Sequence, residues 1–586
     1  MTPPPWDFEY APVQSHALVD PVKAKEMVVA TGSTADIGAA LKRFDALTIE
    51  TLIDRAPLHW ALVSAPKPLA LQEVESELVR AGIDVRYVAS ARQPSMRLGR
   101  ALHMRDAEPA HPDSWSLRSQ PIASDEDHPH RWFTGDDGVR VQRDVCGFGV
   151  GTRLAMIDND AGRTDALALD ALIPIARPEP DRTTLACHGA ALVAWAIGHA
   201  RFAGVAPGAS PRLYCIPKAG EEVVAFPLAL ARAVFDGADV VACATYLEGT
   251  TSPMLDDALE VAARLGRDGL GTAVFLAAGR EMCSPGGLMP SSLSIDLGDV
   301  AADPRAFCIG PSGRGGGWFL YEDRRGELRP FGNRGPSVRF MAPGDDAADP
   351  FAPEQLRHTE SSGATAFAAG VALLVLSCAP ELTLEQLEGL LVVSATRSDP
   401  AAEVARVTSA RQSELLPRAT DRDGHNAKHG YGRLDATTAC GAATDPVALL
   451  LAASGETTAV RRWMEHERRR ALMTPALAQR LSRTLLESEW LRRAGAILVR
   501  HVRLISSDTA RADAHAPGAL LRFVALLLRD LARATNDNPE LLGLLERTTC
   551  DGGIAFGRAV AALASELWPA RGKDVTEAHG AVEHGV

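Results

Sequence analysis

The chain has 586 residues, more than one hydrophobic core holds, so two or more domains are expected. A composition of 46% hydrophobic and 23% charged residues with a net charge of -13 is that of a globular protein without the basic face that nucleic-acid binding needs. The nine cysteines include no C-x-x-C pair, which excludes a zinc ribbon and a disulfide framework.

The first residues, MTPPPWDFEYAPVQ, lack a basic segment followed by an apolar one, and no apolar run approaches membrane-spanning length. The expectation is a cytoplasmic protein with no membrane and no nucleic-acid partner. Residues 1–110 hold a small α/β unit. WALVS (60–64) and IDVRYVAS (83–90) read as strands, and the segment between them reads as a helix. Leu71, Val74 and Leu78 share one face of that helix, and Gly82 stops it. Residues 111–137, rich in Pro, His and acid, read as a linker.

From 138 to 441, short apolar strands alternate with amphipathic helices, the pattern of an α/β fold with a parallel sheet covered on both faces. RLAMIDNDAG (153–162) is an apolar strand ending in Asp158, and parallel sheets carry their sites at such ends. TLACHGAALVAWAIGHA (184–200) puts His188 at the opening of an apolar helix. HTESSGATAFAAGVALLVLS (358–377) puts Ser361, Ser362 and Gly363 just before another. Taken singly, Asp158 is a loop residue, His188 a first-turn polar group and Ser362 a helix cap. Together they follow the chain order Asp, His, Ser of one known catalytic arrangement. That chemistry needs all three: a hydroxyl becomes a useful nucleophile only when an imidazole takes its proton, and a carboxylate fixes the imidazole's tautomer.

Residues 445–570 lose the strand pattern and read as an all-helical C-terminal domain. In it Thr474 caps and Pro475 opens a helix with Leu477, Leu481 and Leu485 on one face. RRWMEHERRR (461–470) reads as a solvated helix face, and residues 571–586 as a disordered tail. PSGRGGGW (311–318) lacks the Lys-Ser/Thr of a phosphate loop and reads as a turn. GHNAKHGYGR (424–433) lacks zinc-ligand spacing. No metal and no cofactor are expected.

The stretches around the three residues resemble the motifs of subtilisin-like serine proteases, the subtilases. LAMIDND is similar to the family's V-A-V-I-D-T-G, HGAALVA to H-G-T-H-V-A-G, and ESSGATAFAAG to G-T-S-x-A-A-x-x-V-A-G. GADVVACATYLEG (237–249), GTAVFLAAGR (271–280) and FGNRGPSVRFMAPGDD (331–346) resemble further family segments, and LTLEQLEGLLVVSAT and HGYGRLDATTA its closing helices. The resemblance spans about 300 residues, in the family's order.

It implies a subtilisin-like fold and a serine endopeptidase in which Ser362 attacks a peptide carbonyl, His188 takes the proton and Asp158 holds His188. It also implies an extended substrate along Ala244, Thr245 and Tyr246 on one side and Ala277, Ala278 and Gly279 on the other. Three positions depart from the family. Arg280 stands where the family has its oxyanion asparagine, so it is either a cationic oxyanion donor or a solvent-facing side chain. Glu360 replaces a glycine two residues before the serine, and could pair with Arg280. Ala191 replaces the second histidine.

The partners expected are a peptide or protein substrate, restricted to few such as a precursor peptide or neighbouring protein, and a regulatory protein docked through the N-terminal or C-terminal domain. The N-terminal unit reads as a stable accessory domain or a removable prodomain. The alternative function is a pseudoprotease that serves as a binding scaffold.

Overall fold

The computed structural model describes most of residues 23–91 and 149–465; the longest internal stretches outside it are 176–187, 280–299 and 396–423. The linker, the tail and the helices expected beyond 465 also lie outside the described residues. Two compact units separate, residues 1–96 and 97–586.

The first unit runs β1 (Lys23–Thr31), α1 (Ile37–Ala40), β2 (Thr48–Arg55), β3 (Leu58–Ala70), α2 (Leu71–Arg80) and β4 (Val85–Ser90). Its sheet is antiparallel in the order β2-β3-β1-β4. Met27, Val29, Ala61 and Val63 on one sheet face pack with Ile37, Leu41, Val74 and Leu78, so both helices cover that face. Val74 and Leu78 lie one helical turn apart and are buried, as the spacing predicts. Gly82 has φ of 79°, the left-handed position that ends a helix.

The second unit is built on a seven-stranded parallel sheet. In chain order it comprises β5 (Arg153–Asp158), β6 (Ala171–Pro174), α3 (His188–Ala196), β7 (Gly198–His199), β8 (Phe202–Ala203), β9 (Ser210–Cys215), α4 (Glu222–Phe235), β10 (Val240–Cys243), α5 (Pro253–Gly269) and β11 (Ala273–Ala277). There follow β12 (Ala306–Ser312), β13 (Leu320–Glu322), β14 (Leu328–Pro330), β15 (Val338–Pro343), β16 (Asp346–Asp349), β17 (Ala352–His358), α6 (Glu360–Cys378), α7 (Leu384–Ser394), α8 (Ala436–Thr444), α9 (Pro446–Ala453) and α10 (Thr457–Glu465). The sheet order is β15-β12-β11-β10-β5-β9-β6. Every residue of β10 and β11 is buried, because helices lie on both faces. One core joins Phe275, Phe307 and Phe340 of the sheet to α3 and α6. The opposite face packs against α4 and α5. Ser252 caps α5 by accepting the Leu255 N–H at 3.1 Å, with Pro253 at the first helical position.

Two findings differ from the sequence reading. Helix α6 has 19 residues and enough apolar character to cross a membrane, although no such run was expected. Its Ser, Thr and Gly residues disguise the run. The helix is buried almost throughout by its own domain, so its composition reflects a central core position. The core also continues past residue 441. Leu449, Leu451, Val460 and Trp463 belong to the same cluster as Leu374 and Leu390. The Trp463 indole N–H donates to the Asp445 carboxylate at 3.1 Å, and Asp445 also caps α9 through the Ala448 N–H at 3.0 Å. Trp463 is buried in what reads by charge pattern as a solvated face.

Helices α3 and α6 cross closely at Gly370, where an added Cβ would lie 2.6 Å from Val205 Cβ and 3.1 Å from the Ala196 carbonyl. Gly370→Ala should cost about 1–3 kcal/mol through overpacking, read as a lower denaturation midpoint.

Candidate active site

Asp158 is the last residue of β5, and its carboxylate is fully buried. An isolated buried carboxylate is costly, and here His188 satisfies it: His188 Nδ1 donates to Asp158 Oδ2 at 2.8 Å. The imidazole opens α3 and is 43% exposed, so one ring nitrogen is held at the sheet while the ring reaches solvent. An ionised carboxylate only accepts, which places the proton on Nδ1 and leaves Nε2 with its lone pair.

Ser362 lies in the first turn of α6, where backbone N–H groups have no acceptor within the helix. Its hydroxyl donates to the Ala244 carbonyl at 3.3 Å. Ala244 follows β10, and Cys243 pairs with Ile157 of β5, so Ala244 stands beside Asp158 across adjacent strand ends. His188 is thus tied to one strand end and Ser362 to its neighbour, about 5 Å away by strand spacing. Ser361, the other hydroxyl of the pair, is buried, and its carbonyl accepts from the Thr365 hydroxyl at 2.7 Å. The partly exposed member of the pair is Ser362.

Ala277, Ala278 and Gly279 close β11, the strand on the far side of β10. All three are buried, and Gly279 has φ of 71°. Ala244 and this segment therefore stand at the adjacent ends of β10 and β11. Thr245, Tyr246 and Arg280 lie outside the described residues. Ala191 is core, 3% exposed.

Glu360 has φ of 55°, and its N–H donates to the Gly344 carbonyl at 2.8 Å. The left-handed conformation explains physically why a glycine suits this position and why the glutamate is strained. Glu360→Gly should raise stability by about 1 kcal/mol, measured as a higher denaturation midpoint.

The residue that sequence reading left without a role is Asn333. It is 2% exposed, and its Nδ2 donates to the Ala278 carbonyl at 2.9 Å. The signal available was the Gly-Asn-x-Gly spacing of residues 332–335, which marks a turn without saying what the amide holds. Among the described residues, no group of three or more His, Cys, Asp or Glu side chains is placed to hold a metal ion.

The family model described as the Subtilase family matches residues 176–433. Asp158 precedes that span and is joined to it by the His188 hydrogen bond. No curated protein matches the chain. Among solved structures, a mutant of the epidermin leader peptide processing serine protease of Staphylococcus aureus is 14% identical with a TM-score of 0.44, covering 72% of this chain and 99% of that one. MycP1 from Mycobacterium smegmatis is 18% identical with a TM-score of 0.39, covering 55% and 86%. The prenylagaramide maturation protease PagA is 18% identical with a TM-score of 0.34, covering 50% and 92%. The family match makes residues 176–433 similar to the serine peptidases of the subtilase family, over a parallel sheet whose adjacent strand ends carry Asp158 with His188 and Ala244 with Ser362.

Proposed function

We propose that the chain is an endopeptidase that cleaves peptide bonds through Ser362, His188 and Asp158 by way of an acyl-enzyme. The observation that carries this reading is the buried Asp158 carboxylate bound to His188 Nδ1 beside a strand end that holds the Ser362 hydroxyl. His188 Nε2 takes the hydroxyl proton as Ser362 Oγ attacks the carbonyl carbon, and gives that proton to the departing amine. Water then attacks the ester under the same base. The Ser362 backbone N–H, at the start of α6, is a donor for the oxyanion. An extended peptide lies between Ala244 and the Ala277–Gly279 segment and pairs with them as an added strand.

The substrates in this reading are few, such as a precursor peptide or a neighbouring protein, and the parts of the chain outside the peptidase core dock a regulatory protein. The enzyme works in a reducing, intracellular compartment. In support, the nine cysteines of the chain are scattered without the paired spacing of a disulfide framework. The test is a quenched-fluorescence peptide library incubated with wild type and with Ser362→Ala. Cleavage by wild type alone, mapped by mass spectrometry to internal peptide bonds, is the expected result. Equal cleavage by both would contradict the proposal.

A further inference from the structure

We infer that Asn333 is a positioning residue for the substrate-facing end of β11, an inference that rests on the endopeptidase reading. The chain leaves the sheet at Ala277, and its next two carbonyls face the turn that precedes β15. Asn333 takes both: its side-chain Nδ2 donates to the Ala278 carbonyl at 2.9 Å, and its backbone N–H donates to the Gly279 carbonyl at 3.0 Å. A third bond, from the Ala278 N–H to the Ile309 carbonyl at 2.9 Å, ties the same segment to β12.

The clamp depends on a close approach. Gly332 has φ of 106°, and a Cβ there would lie 2.7 Å from the Pro311 ring, so only glycine lets the turn come near enough. With both carbonyls engaged from below, Gly279 is fixed in its left-handed conformation, and the direction in which the chain enters the cleft is fixed with it. An acyl-transfer site loses rate steeply when a substrate-holding segment shifts by about 1 Å. The buried amide therefore acts on catalysis through the backbone and does not touch substrate.

Asn333→Ala removes the side-chain donor and leaves the Ala278 carbonyl unpaired. Asn333→Asp keeps the volume but sets a carboxylate against that carbonyl, and serves if the alanine variant does not fold. Active sites are counted by the burst of an activated ester, so that kcat refers to competent sites only. Both variants should lower kcat per titrated site by roughly 10–100-fold, with KM within about twofold of wild type. In both, amide hydrogen exchange should rise in the peptide covering 273–279 and stay unchanged in the one covering 153–158. Unchanged exchange at 273–279 would overturn the inference. So would raised exchange with kcat per site unchanged, the signature of a purely structural amide. An absent burst in wild type would overturn the endopeptidase reading as well, and is seen before any variant is compared.

Discussion

Ser362→Ala is expected to abolish peptide-bond hydrolysis, with a loss on the order of 10^6-fold in kcat, while the domain stays folded. The size follows from what is removed. Without the oxygen there is no acyl-enzyme, and the base, the oxyanion donors and the substrate-pairing edges are left to act on water. Folding should survive because Ser362 is only partly buried and its hydroxyl's bond to the Ala244 carbonyl is long at 3.3 Å. Far-ultraviolet circular dichroism and the denaturation midpoint check the second half of the expectation. Ser361→Ala removes a buried hydroxyl next door and should leave catalysis largely intact. If Ser361→Ala abolished hydrolysis and Ser362→Ala did not, the serine assignment would be off by one residue.

Asp158→Asn carries the second largest effect, about 10^4-fold in kcat. The amide is isosteric with the carboxylate, so the fully buried site at the end of β5 keeps its packing. Its chemistry inverts. A side-chain NH2 facing His188 Nδ1 makes that nitrogen the acceptor and moves the ring proton to Nε2, where the serine proton has to go. The imidazolium formed in the transition state also loses its counter-charge. KM should change little, because the Asp158 carboxylate is fully buried and bonded to His188. A substrate titration of kcat and KM separately checks this. A large rise in KM with kcat preserved would mean that Asp158 shapes binding and does not orient the base.

The site was more legible in the sequence than its support. Asp158, His188 and Ser362 each stand at a junction between an apolar run and a polar turn, and local pattern finds such junctions. Strand and helix periods then place them on the same end of a parallel sheet, where the structure has Asp158 and His188 in contact. Choosing Ser362 over Ser361 required the motif, since both lie in the same turn; burial now separates them. What pattern could not supply are properties set by distant residues. The left-handed backbone at Glu360 follows from its bond to the Gly344 carbonyl. The Asn333 clamp joins positions 55 residues apart, and nothing near Asn333 shows that its amide faces Ala278. The core role of α9 and α10 was hidden for a related reason. Leu449 and Leu451 look like part of a separate helical domain, and Trp463 like one residue of a charged, solvated face, until the surface that they cover is known.

The central claim, that Ser362 is a nucleophile activated by His188, is tested most directly by reacting the full chain with a fluorophosphonate and mapping the adduct by mass spectrometry. A single covalent adduct on Ser362, absent from Ser362→Ala and strongly slowed in His188→Ala, is the predicted result. Failure of the folded wild-type chain to label, or labelling that persists in Ser362→Ala, would contradict it; the former would favour a peptidase fold retained as a binding scaffold.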